Sequence, residues 1–231
     1  APKPRAAATP KPAESKPAPP QEPKEKPRFP SRDAYEEYLT RTVGPIFRRY
    51  ANHDPDSNRV DQYVWRIHPK SGDKTFRQAW PDTDGTIVIG HRDGLWPLYN
   101  RKAIRESTEV LLVEGEECML AAANLHIVAT TAIAGGTPGK AKYTDWSPLA
   151  GKTVYVWPDN DPPNDKGIRG GIVFMQEVIE ILRRLTPRPR LFWINPDHLE
   201  LPPKGDITDI VKQWGATDHQ VLRAAITDIM A

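Results

Sequence analysis

The sequence predicts an α/β protein. A mostly parallel sheet flanked by helices follows a small β-rich subdomain and a disordered N-terminal tail. Three observations carry this expectation. From residue 110 onward, short continuous apolar runs alternate with helix-period segments, the pattern of strands buried on both faces and the helices that cover them. Residues 60–98 hold aromatic and β-branched runs broken by Gly/Asp turns, the pattern of an antiparallel meander. Residues 1–30 hold 10 of the 25 prolines, with Ala, Lys and Glu filling most of the rest. Such a tail buries too little apolar surface to offset chain entropy, so it reads as a linker.

The elements follow in order. At 31–43 (SRDAYEEYLTRTV), Ser31 is placed to cap a helix whose Tyr35, Tyr38 and Leu39 share one face. VDQYVWRIH, KTFRQAW and GTIVIGH are separated by SGD and TDG and read as strands. LWPLYN leads into a short helix at 101–105. EVLLVEG then reads as a buried strand, ECMLAAANL as a helix and HIVATTA as a second strand. AIAGGTPGKA is a glycine loop and KTVYVWPDND a third strand. GIRGGIVFMQEVIEILRRL is a long amphipathic helix and RPRLFWIN a fourth strand. GDITDIVKQW and TDHQVLRAAITDIM close the chain as helices. The expected division is a linker at 1–30, an α+β subdomain at 31–106, and an α/β domain with C-terminal helices at 107–231.

Charge narrows the function classes. The tail carries +4 and the whole chain +2, so residues 31–231 carry −2. A strongly basic DNA-coating surface is excluded, and any nucleic-acid contact must come from local patches. Cys118 is the single cysteine. It forms no internal disulfide and no zinc ribbon, which suits a cytoplasmic location. No apolar run reaches the ~18 residues of a membrane span. The absence of an initiator Met suggests a piece of a longer protein.

Acids gather where chemistry is expected. In open α/β sheets the working groups sit at the carboxyl ends of the strands. One strand ends in Glu114, another in Asp159-Asn160-Asp161. Residues two apart in an extended chain point to the same side, so both aspartates aim at one point and Asn160 turns away. If the two strands are neighbours, Glu114 joins them. Converging carboxylates need a divalent cation, and all-oxygen ligands point to Mg²⁺ or Mn²⁺. The competing reading of Asp-Asn-Asp-Pro-Pro is a simple turn, and of Glu114 a helix-dipole partner. GGTPGKA resembles a phosphate-binding P-loop but has Ala134 and Ala141 where that motif needs Gly and Ser/Thr.

LLVEGEECMLAAANLHIVATTAIAGG followed by LAGKTVYVWPDNDPPNDKG resembles the Toprim domain of phage, plasmid and prophage DNA primases and primase–helicases. KTFRQAW and WPLYN resemble the segments that precede it there, and the likeness spans about residues 60–215. The resemblance implies a Rossmann-like Toprim sheet. It implies Glu114, Asp159 and Asp161 as catalytic and metal-binding acids, with Asp206 (or Asp209) completing the metal set. Asp206 equally suits a helix N-cap. Lys204 is implied near the phosphates, and Gly135 and Gly136 allow close approach of a nucleotide. Lys74 and Arg77, in a region mixing bases and aromatics, suit contact with template or nucleotide. Trp65, Phe76 and Trp80 equally suit the small sheet's core, and Cys118 reads as core. The implied activity is Mg²⁺- or Mn²⁺-dependent primer synthesis from nucleoside triphosphates on single-stranded DNA. A replicative helicase or zinc-binding module, fused or in trans, is the implied partner. A Toprim nuclease and a non-catalytic replisome adaptor are the alternatives.

Overall fold

The computed structural model describes residues 25–133 and 135–213, with Ala224 and Ile226. The first 24 residues of the expected linker, and nearly all of the expected last helix, lie outside the described residues. The elements in chain order are β1 (Arg28–Phe29), α1 (Arg32–Thr42), β2 (Ile46–His53), β3 (Val60–Ile67), β4 (Thr75–Pro81), β5 (Ile87–Ile89) and α2 (Arg101–Glu106). They continue with β6 (Glu109–Leu112), α3 (Glu116–Asn124), β7 (Ala129–Thr130), β8 (Thr153–Val156), α4 (Gly170–Leu182), β9 (Arg190–Trp193) and α5 (Ile207–Gln213).

Two sheets form. The first is antiparallel, in the order β1-β5-β4-β3-β2; the second is parallel, in the order β7-β6-β8-β9. Residues 28–29, expected in the linker, pair with Ile87 and Val88 at the edge of the first sheet. β2 was not expected from the sequence. Its RRYANH run lacks clean alternation, and its pairing with β3 supplies what local pattern does not. The second strand, expected over HIVATTA, shortens to Ala129–Thr130.

Helix α1 begins as its sequence dictates: the Ser31 hydroxyl accepts from the Ala34 N–H at 3.2 Å. Its Tyr35 and Leu39 pack on Trp65, Ile67, Ala79 and Ile87, covering one face of the antiparallel sheet. Tyr50 and Val64, from the opposite face, join the layer built on α3. The parallel sheet is covered twice. Leu111 and Val113 meet Cys118, Met119 and Ala122 of α3 and Ile207 and Ile210 of α5. Val110, Leu112, Val154 and Val156 meet Phe174, Met175, Val178 and Leu182 of α4. Each such side chain contributes ~1.5–3 kcal/mol on burial, so α4 is held firmly on the sheet. Its N-terminus is thereby fixed at the end of β8.

Candidate functional site

β6 and β8 are parallel neighbours, with Leu112 opposite Val156. The Trp157 N–H extends this pairing to the Leu112 carbonyl at 2.9 Å. The chain segments beyond the two strands therefore leave the sheet side by side. The Asp159 N–H donates to Glu114 Oε1 at 2.9 Å, so the first two acids meet at the strand ends.

Glu114 is 7% exposed and is seated between two glycines. A Cβ on Gly136 would stand 1.9 Å from its Oε2, and one on Gly171 would stand 2.0 Å from its Oε1. No side chain fits at either position while Glu114 keeps this pose. Gly136 had been expected to admit a nucleotide; its closest approach is to the glutamate. Gly171, not expected from sequence, sits in the first turn of α4. Its N–H donates to Asp161 Oδ2 at 3.1 Å, which places Asp161 at the positive end of the helix dipole.

Asn160 turns away from the acids, as strand alternation requires, and has its own task. Its Nδ2 donates to the Leu201 carbonyl at 2.9 Å, and its backbone exchanges bonds with Gly205 and Lys204 at 2.9 and 2.7 Å. Its Oδ1 accepts from Arg169 at 2.6 Å. The 201–205 turn is thus tied to the tip of β8, and Asp206 is delivered to the site. Asp206 also caps α5. Its Oδ1 accepts from the Thr208 N–H at 2.6 Å, while Asp209 Oδ2 accepts from the Asp206 N–H at 3.2 Å. This is a reciprocal capping box, so capping and membership of the acid cluster coexist in one residue.

Burial and mutual repulsion shape the site's charge. Burial pushes Asp159 up to about 8, with Glu114, Asp206 and Asp161 adding to the rise and Lys74 opposing it. Burial likewise raises Glu114 to about 7. Among the described residues, the Asp159 carboxylate accepts no hydrogen bond, and Glu114 Oε2 accepts none. Unpaired carboxylates in a half-dry site match the donor set of a hard divalent cation.

A groove of about 450 Å³ opens between the acid cluster and the face of the antiparallel sheet turned away from α1. Phe47, Arg66, Lys74 and Phe76 line it opposite Asp159 and Asp206. Phe47, 55% exposed, stacks on His68 at 4.6 Å and lies 5.2 Å from the Arg66 guanidinium. Phe47 was not singled out from the sequence because β2 itself was not recognised, and His68, at the end of the expected VDQYVWRIH strand, has no local signal of its stacking partner. Lys204 lines an adjoining cavity with Lys74, Arg66 and His68. Gly135 and Gly136 line a third with Glu114 and Lys74.

Of the residues expected at the site, the fold brings together Glu114, Asp159, Asp161, Asp206, Lys74, Lys204, Gly135 and Gly136. Arg77 is not among them. It stands opposite Trp65 in the β3–β4 register, on the face that packs against Tyr35 of α1. Its guanidinium donates to Thr75 Oγ1 and the Phe76 carbonyl. Strand alternation explains the outcome, since Lys74 and Phe76 face the groove and Arg77 the other side. Trp65 is core, whereas Phe76 is 40% exposed on the groove. Arg92 and Arg101 pair with Asp61 and lie outside the groove.

No helix among the described residues is long and apolar enough to cross a membrane. No protein-family model and no curated protein matches the chain. Chains of solved structures are similar, among them the following two. A DNA primase domain from Pseudomonas aeruginosa shares 17% identity over 78% of this chain and 50% of its own, with a TM-score of 0.49. A chain from a bacteriophage T7 assembly shares 12% identity over 79% of this chain and 91% of its own, with a TM-score of 0.40. That assembly holds the lagging-strand DNA polymerase interacting with primase domains of two gp4 subunits bound to an RNA/DNA hybrid and dTTP. The present chain spans half the length of the P. aeruginosa chain.

Proposed function

We propose that this chain is the Toprim part of a phage, plasmid or prophage DNA primase, joining nucleotides on a single-stranded DNA template. One observation carries the reading: four acids from three separate segments meet at the carboxyl edge of a parallel sheet, opposite a cationic and aromatic groove. The motif order VEGE, VATT…GG and PDND supports the assignment to Toprim.

Asp159, Asp161 and Asp206, with Glu114, are the residues that would hold Mg²⁺ or Mn²⁺. Such a cation neutralises the carboxylates and polarises phosphoryl oxygens. Glu114, buried beside Asp159 at the strand ends, would either ligate the cation or take the proton of an attacking 3′-hydroxyl. Lys74 and Lys204 supply positive charge for the phosphates. Phe47 and Phe76 offer ring faces for template bases, and Arg66 a phosphate contact. A zinc-binding module for template reading and a replicative helicase, fused or in trans, complete this proposal, as does a cytoplasmic setting.

The test is extension on single-stranded DNA with labelled nucleotides and Mg²⁺ or Mn²⁺, comparing wild type with Asp159→Ala/Asp161→Ala. Short metal-dependent products, lost in the variant, are expected. Shortening of the template instead would make the chain a nuclease, and DNA binding with neither product would make it an adaptor.

A further inference from the structure

We propose that the loop ending at Tyr143 carries a second contact for single-stranded DNA: a base stacks on the exposed Tyr143 ring, and Lys140 and Lys142 take the flanking phosphates. The inference extends the strand groove of the proposed function and rests on it, and its experiment separates the two.

A continuous route links this surface to the acids. Lys74, Phe76 and Gln78 follow one another on the same side of β4 and its entry. Lys74 and Phe76 line the groove beside Asp159. All three line a cavity of about 340 Å³ with Glu114, Ile133, Gly135, Gly136 and Thr137. Gln78 joins the two sheets there: its Nε2 donates to the Ile133 carbonyl at 2.9 Å, and its carbonyl accepts from the Gly90 N–H at 2.8 Å. The next residue, His91, stacks on Trp96 with ring centres 3.5 Å apart, and Trp96 stacks on Tyr143 at 5.1 Å. The route thus runs from the acids, along β4 and the glycine loop, to Tyr143.

The surface suits a base and its phosphates. Tyr143 is 38% exposed, yet its ring is backed by the Trp96–His91 stack and its backbone is fixed. The Trp96 N–H donates to the Tyr143 carbonyl at 2.6 Å, and the Asp145 N–H donates to the Trp96 carbonyl at 2.8 Å. Little entropy remains to be lost when a base stacks on a ring already held. Lys140 and Lys142 are exposed, with Nζ 5.4 and 5.2 Å from the ring centre. Neither forms an ion pair among the described residues; Glu177 and Asp145 accept instead from the Gly139 and Ser147 N–H groups at 2.8 and 3.0 Å. Two like charges gathered on one ring without a counter-charge attract a polyanion. A duplex keeps its bases stacked inward, so the ring favours a single strand. Lys140 belongs to GGTPGKA, the segment that lacks the residues of a P-loop; here its charge serves a strand backbone instead of a triphosphate cradle.

The experiment follows fluorescence anisotropy of labelled oligothymidylates of about 5 and about 20 nucleotides as the full 231-residue chain is added. The longer strand is expected to bind more tightly, because only it reaches both the groove and Tyr143. Tyr143→Ala should remove most of that gain, weakening the long strand by about 5- to 100-fold, and should leave Mn²⁺ binding at the acids unchanged. Tyr143→Phe should keep the gain, since the ring alone is used. Lys140→Gln/Lys142→Gln should lower the slope of log affinity against log salt by about 1.4. A length gain that survives both Tyr143→Ala and the double lysine variant would overturn this surface and leave the groove standing. Binding of neither strand by wild type would overturn the groove as well.

Discussion

Replacing Asp159 by Asn should make the metal-free protein more stable while removing its ability to hold a cation. Asp159 is raised from 3.8 to about 8, first by burial and then by Glu114, Asp206 and Asp161. The sign follows from linkage. Between those two values the native state binds the proton that the unfolded chain has released, so wild-type stability falls as pH rises. Asparagine carries no such charge. From about pH 5 to about pH 9, its advantage should grow by an amount on the order of 2–4 kcal/mol, at ~1.4 kcal/mol per tenfold change in proton affinity. The upper figure treats Asp159 in isolation; sharing of protons with Glu114 lowers it. Urea unfolding of both proteins at the two pH values, with and without Mn²⁺, measures the difference. Mn²⁺ should stabilise wild type most at the higher pH, where the carboxylates are ionised, and should leave the variant nearly unaffected. An Asn variant less stable than wild type at both pH values would show that Asp159 is a structural turn residue, and the reasoning would fail.

Gly171→Ala should impair function without unfolding the chain. The new Cβ, at 2.0 Å from Glu114 Oε1, forces the carboxylate back by about 1 Å or more, a displacement that costs about 100-fold in rate; primer-extension assays and circular dichroism would report the two effects separately. Lys74→Ala should weaken nucleotide or DNA binding severalfold in a fluorescence-anisotropy titration, whereas Arg77→Ala, on the α1 face, should not; equal losses would contradict the assignment of faces. Asn160→Ala removes the bonds to the Leu201 carbonyl and from Arg169 and should cost ~1–3 kcal/mol in thermal unfolding. Its loss of Mn²⁺ affinity should accompany increased hydrogen exchange in residues 201–206.

Much of the site was legible because its parts follow short-range rules. Apolar runs too short for helices marked β6 and β8 as strands, and their parallel pairing carried Glu114 and Asp159 to one place. The alternation Asp159-Asn160-Asp161 turned Asn160 away from the acids, although nothing local showed that it would tie down the 201–205 turn. The features that escaped depend on contacts distant in sequence. Gly171 closes on Glu114 from 57 residues away, and no motif links them. β2 lacks a clean apolar alternation and owes its form to pairing with β3, so Phe47, and with it the ring that stacks on His68, stayed hidden. Arg77 is a different case: period-two alternation from Lys74 already places it on the opposite face.

The most direct test of the acid centre is a crystal of this chain soaked in Mn²⁺, with diffraction measured at the manganese edge. A peak in the anomalous difference map within bonding distance of Asp159, and of at least two among Glu114, Asp161 and Asp206, is the predicted result. A map with no manganese at these carboxylates, in crystals whose fold is unchanged, would contradict the account.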